Sequence, residues 1–159
     1  MKAKLLVFLA MVGLLISFAA CSQVQAAPNG TSKEKPASTP KTIEVSIDEF
    51  SRNKNLSRTI ELNSGDTLTL ILGANATTGF SWPEQATISE FTIIEQTEHK
   101  YIEPVSENGQ VPGVGASGKD VWVFKSIKQG TSEISLDYSR PWEGGEKGEW
   151  TFRLTVLVK

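Results

Sequence analysis

Trp150-Thr151-Phe152-Arg153-Leu154-Thr155-Val156-Leu157-Val158 is the stretch whose reading decides the fold. Trp150, Phe152, Leu154, Val156 and Val158 fall on one side of an extended chain, because successive strand side chains point to opposite faces. The same period of two runs through Ile43, Val45 and Ile47, through Leu68, Leu70 and Leu72, and through Ile134, Leu136 and Tyr138. Residues 58–62, 91–95 and 121–127 are shorter strand candidates. Asn63-Ser64-Gly65-Asp66, Gln129-Gly130 and Gly144-Gly145 read as the turns between them. No segment past residue 20 carries a helical stripe of three turns. An all-β fold is expected, an antiparallel β-sandwich of seven or eight strands with its loops gathered at two ends.

The N-terminus reads differently. Met1-Lys2-Ala3-Lys4 is a short basic segment, and residues 5–18 form an apolar run too short to span a bilayer comfortably as a helix. Ala19-Ala20 then precede Cys21, the only cysteine of the chain. That order resembles a bacterial lipoprotein signal, with Phe18 where leucine is usual. It implies cleavage before Cys21 and a lipid on its sulfur. Ordinary signal cleavage, for instance after Ala26 or Ala27, is the alternative. Either way the domain is expected to be exported, and in the first case it would be membrane-anchored, at the cell surface or in the periplasm. Residues 21–40 are Ser, Thr, Pro, Ala, Lys and Asn with almost no large apolar side chain, which predicts a flexible tether. The folded domain is expected over 41–159. One cysteine allows no internal disulfide, so burial must hold the fold.

Without residues 1–20 the chain keeps 14 basic against 18 acidic residues, a formal charge of −4. Such acidity argues against a nucleic-acid partner. Catalysis would need a nucleophile beside a base, a carboxylate pair in a pocket, a metal cluster or a cofactor loop. The single histidine, His99, lies in polar Glu98-His99-Lys100-Tyr101 and reads as a surface residue. With carboxylates alone it would make a poor metal set. Gly113-Val114-Gly115-Ala116-Ser117-Gly118 neither precedes a helix nor carries the lysine of a phosphate loop. No enzyme, metal or cofactor is expected.

Three loops hold the remaining signal. Asn75-Ala76-Thr77-Thr78-Gly79-Phe80-Ser81-Trp82 follows the strand ending near Leu72, and is either a plain turn restarting a strand or a functional tip. Residues 113–118 precede the strand at Val121. Tyr138-Ser139-Arg140-Pro141-Trp142-Glu143 sets an indole and a guanidinium beside a proline, which suits a binding rim unless Trp142 folds back on the sandwich.

In this order and spacing the three segments resemble the chagasin family of cysteine-protease inhibitors. Its pattern is Asn-Pro-Thr-Thr-Gly-aromatic, then Gly-x-Gly-Gly, then Arg-Pro-Trp, on an immunoglobulin-like sandwich. Asn75, Thr77, Thr78, Gly79 and Phe80 match the first motif, with Ala76 in place of proline. Gly115, Ala116 and Gly118 match the second, with Ser117 in place of a glycine. Arg140, Pro141 and Trp142 match the third. The resemblance covers residues 41–159. It implies a monomeric inhibitor of papain-like cysteine proteases that occludes the cleft reversibly and without a covalent bond. Thr77 and Thr78 would approach the protease's cysteine, with Trp142 and Arg140 on one rim and the Gly115 loop on the other. Losing the proline at position 76 is expected to weaken binding by about 0.4 to 1 kcal/mol through the looser unbound loop. A different class is a cell-surface module for carbohydrate or protein, using Trp142 and Trp82 as stacking platforms.

Overall fold

Alternation turns one face of each long strand inward, and in the computed structural model those faces meet as two four-stranded sheets. The structure describes residues 40–105, 113 and 115–159. Cys21, the signal segment and nearly all of the tether lie outside the described residues. In chain order the elements are β1 (Pro40–Val45), α1 (Ile47–Arg52), β2 (Asn55–Leu62), β3 (Thr67–Ala74), β4 (Thr87–Ile88), β5 (Ile94–Ile102), β6 (Gly118–Ser126), β7 (Gly130–Tyr138) and β8 (Trp150–Val158). One sheet runs β1-β3-β6-β5 and the other β2-β8-β7-β4. Leu68, Leu70 and Leu72 of β3 and Trp122 and Phe124 of β6 face Ile134 and Leu136 of β7 and Phe152, Leu154 and Val156 of β8. Burying each such side chain contributes about 1.5 to 3 kcal/mol.

The eight-stranded sandwich is as expected, but among the described residues two of its six strand pairs are parallel. β1 lies parallel to β3, and β2 parallel to β8. The cause is α1, which carries the chain from the edge of one sheet to the edge of the other. Neither edge strand can then pair with its sequence neighbour. The alternation expected through Ile47 stops at Val45, because Ser46 caps a helix: its Oγ accepts the Glu49 N–H at 3.2 Å. Phe50 is fully buried from this helix and closes that side of the sandwich. Helix and sheet approach closely at Gly73, where a Cβ would lie 2.7 Å from the Ile47 nitrogen.

A strand expected from Phe91 begins instead at Ile94. Glu90 O accepts the Ile93 and Ile94 N–H groups in a turn, and Phe91 stands exposed on it. The bulge of β5 between Gln96 and Glu98 then brings His99 and Tyr101 to the inner face.

Strand directions define two ends. Ala74, Gly118, Tyr138 and Trp150 share one end, since Ala74 pairs with Gly118 and Tyr138 with Trp150. Pro40 pairs with Thr67 at the opposite end. Lys159 closes there too, its N–H donating to Leu62 O at 2.8 Å.

Candidate functional site

Loops 75–82, 113–118 and 139–149 all leave the Ala74–Tyr138 end. In the first, Asn75 is the keystone. Its Oδ1 accepts from the Thr77 N–H at 3.1 Å and the Thr77 hydroxyl at 2.7 Å, starting a single 3-10 turn over Ala76–Thr78. Gly79 ends that turn with φ +78°, a left-handed conformation that disfavours a Cβ. Beneath it, the Tyr138 hydroxyl accepts the Asn75 N–H at 2.9 Å and donates to Asn75 O at 3.2 Å. Ala76, Thr77 and Thr78 are left exposed at the tip.

Asn75 also reaches the second loop, its Nδ2 donating to Gly115 O at 3.2 Å. Gly115 (φ +94°) and Ser117 are exposed, and Ala116 donates its N–H to Gly113 O at 3.1 Å. Gly118, expected at the binding surface, is instead the buried first residue of β6. A Cβ there would overlap the Tyr101 hydroxyl and come within 2.6 Å of Ile102 O, so this glycine serves close packing. Val114 lies outside the described residues.

The third loop folds against the first. Ser139 and Ser81 exchange backbone hydrogen bonds at 3.0 and 2.9 Å. The Arg140 guanidinium lies 4.6 Å over the Phe80 ring and 5.8 Å from the Trp142 ring. Trp142 is 51% exposed and does not fold back into the core. One edge rests on Gly79, where a Cβ would stand 2.9 Å from Cη2, a second reason for glycine there. Pro141 is exposed beside it.

Below Phe80 runs a column of rings that sequence reasoning missed. Phe80 stacks on Tyr138 at 5.6 Å, Tyr138 on Trp150 at 4.7 Å, and Trp150 on Phe50 at 5.3 Å. Tyr138 reads in sequence as merely the last apolar residue of a strand. Its place two residues before Arg140, at the start of the Arg140-Pro141-Trp142 loop, was the available signal.

Two other expectations are corrected. Trp82 is no stacking platform: it is 3% exposed, and its Nε1 donates to Gly73 O at 3.0 Å. His99 is not a surface residue, for its ring packs on Trp122 and its Nε2 lies 2.7 Å from Asp120 Oδ1. The β5 bulge turns it inward. Burial pushes the Asp120 carboxyl above its ordinary value, and the His99 contact opposes that rise. Burial likewise raises the Tyr101 hydroxyl, against a hydrogen bond from the Ala76 backbone.

The model of the chagasin family of peptidase inhibitors, I42, matches residues 61–156. The chain belongs to that family. Its members are inhibitors of peptidases and not enzymes. Chagasin from Trypanosoma cruzi is 32% identical over 107 residues, 64% of this chain and 87% of that protein. Two solved structures share the fold. One is the cysteine protease inhibitor EhICP2 from Entamoeba histolytica, with TM-score 0.56, 21% identity, and 76% of this chain and 97% of that chain covered. The other is PbICP-C in complex with falcipain-2, with TM-score 0.55, 20% identity, and 75% and 99% covered. The family model spans the first loop, the described part of the second and the whole of the third.

Proposed function

We propose that this protein is a reversible, non-covalent inhibitor of papain-like cysteine proteases, and that its three loops together fill the substrate cleft. The observation that carries the reading is an exposed Ala76–Thr78 tip standing on a base that is already ordered. Asn75 ties it to Gly115, Tyr138 holds both polar groups of the Asn75 backbone, and Trp142 and Arg140 lean on Gly79 and Phe80. A surface so preformed has little ordering left to do on docking, which is where affinity is gained. Thr77 and Thr78 would enter beside the catalytic cysteine. Beyond ordinary peptide carbonyls the tip carries no activated electrophile to trap that thiolate, and the occlusion in this reading is steric. The target class is supported by two proteins of the same fold, EhICP2 being a cysteine protease inhibitor and PbICP-C having been found on falcipain-2.

Titration of papain with the purified protein tests this: stoichiometric, reversible loss of activity is expected. No inhibition at micromolar concentration against several papain-like enzymes would overturn it. In the same reading Cys21 carries lipid that holds the exported chain at a membrane. Radiolabelled palmitate should enter the wild-type protein and not Cys21→Ala. Failure to label the wild type removes the anchor without touching inhibition.

A further inference from the structure

We infer that Lys147 is a positioning residue for Trp142 and Arg140, holding the third loop in the shape that presents the indole. The inference rests on the inhibitory reading above. Lys147 is exposed, and an exposed lysine usually does little for a fold. Here, however, its ammonium is aimed back into its own loop. Nζ donates to Arg140 O at 2.5 Å and to Trp142 O at 3.1 Å, the carbonyls on either side of Pro141. To meet one ammonium, both carbonyls must turn toward the middle of the loop. The Arg140–Pro141 and Trp142–Glu143 peptide planes are thereby set, and with them the exit directions of the Arg140 and Trp142 side chains.

The rest of the loop agrees with that role. Arg140 N–H donates to Glu146 O at 2.8 Å and Gly145 N–H to Trp142 O at 3.1 Å, so residues 140–146 close into a ring that Lys147 crosses as a spoke. The neck is narrow: a Cβ on Gly145 would stand 2.8 Å from Arg140 Cβ and 2.9 Å from Arg140 O. Glu149, two residues on in the sequence, is paired with Lys54 at 2.6 Å. Charge-assisted hydrogen bonds are roughly twice as strong as neutral ones, which favours the ammonium over water at these carbonyls. A tilt of the ring would carry the guanidinium off Phe80 and the indole off Gly79 together.

The test compares the full chain with Lys147→Met, Lys147→Arg, Trp142→Ala and the double variant Lys147→Met/Trp142→Ala. One readout is the heteronuclear NOE of the indole N–H groups, which reports each tryptophan's mobility without any protease. The other is the papain inhibition constant. Lys147→Met should lower the NOE of Trp142 while leaving Trp82 and Trp122 unchanged, and should weaken inhibition about 3- to 10-fold. On the Trp142→Ala background it should cost less, only the share that acts through Arg140, and Lys147→Arg should restore most of the loss. An unchanged Trp142 NOE in Lys147→Met would overturn the inference. So would an equal loss of inhibition with and without Trp142, which would mean that Lys147 does not act through the indole. If the wild type fails to inhibit papain, the inhibitory reading falls, and the NOE comparison still decides whether Lys147 orders the loop.

Discussion

Truncating Trp142 to alanine separates a contact made with a partner from one made within the fold. The indole is 51% exposed, so about 125 Å² of a side chain that offers about 250 Å² remains for a partner to cover. At about 25 cal/mol per Å² that area is worth about 3 kcal/mol, or roughly 150-fold in the inhibition constant. The covered half is worth as much only as an upper bound. Its partners are Gly79 and Arg140 in loops, which can close over the gap, so a folding cost of about 1 to 2 kcal/mol is expected. Trp150 is the control, held between Phe50 at 5.3 Å and Tyr138 at 4.7 Å, and its truncation should cost about 3 to 5 kcal/mol of stability. Papain inhibition constants and urea midpoints are measured on both variants. The reasoning fails if Trp142→Ala lowers the midpoint as far as Trp150→Ala does, or inhibits papain within two-fold of the wild type.

Gly118→Ala should destabilise the domain by about 1 to 3 kcal/mol, since the new methyl group meets Tyr101 and the Ile102 backbone; a urea midpoint equal to the wild type's would contradict that packing. Tyr138→Phe removes the acceptor of the Asn75 N–H, while Asn75 O keeps the Thr78 N–H and hydroxyl, so a loss of about 1 to 3 kcal/mol is expected by thermal denaturation, with weaker papain inhibition alongside. Asp120 gives a pH dependence. Its carboxyl is raised by burial in the folded state, so its contribution to stability is full below about pH 3.9 and is lost as pH rises through the raised value. Asp120→Asn should therefore flatten the change in melting midpoint just above that pH, and a slope matching the wild type's would remove Asp120 from the account.

How far the fold can be read in the sequence depends on whether a signal is local. β8 is legible because five apolar side chains keep strict alternation between Trp150 and Val158. The start of β5 is not, since a bulge breaks its period and its inner face carries Gln96, His99 and Tyr101 where an apolar stripe would be sought. Helix α1 is too short to show a stripe, and only Ser46 with Glu49 three residues on announces it. The loop residues Thr77, Thr78 and Trp142 stand out by composition and order. What joins them does not, because the Asn75–Gly115 bond spans 40 residues and the Tyr138–Asn75 bonds span 63. Gly118 was misplaced for the same reason: the Tyr101 ring that needs its missing Cβ arrives from another strand.

Pro40 and Lys159 both sit at the end of the sandwich away from Ala76–Thr78. The nine-residue strands between hold the two ends about 30 Å apart. A carrier domain, a bead or a sensor chip joined at Lys159 would leave the loop end unobstructed. Many copies coupled through Lys159 would form a surface on which every loop set faces outward.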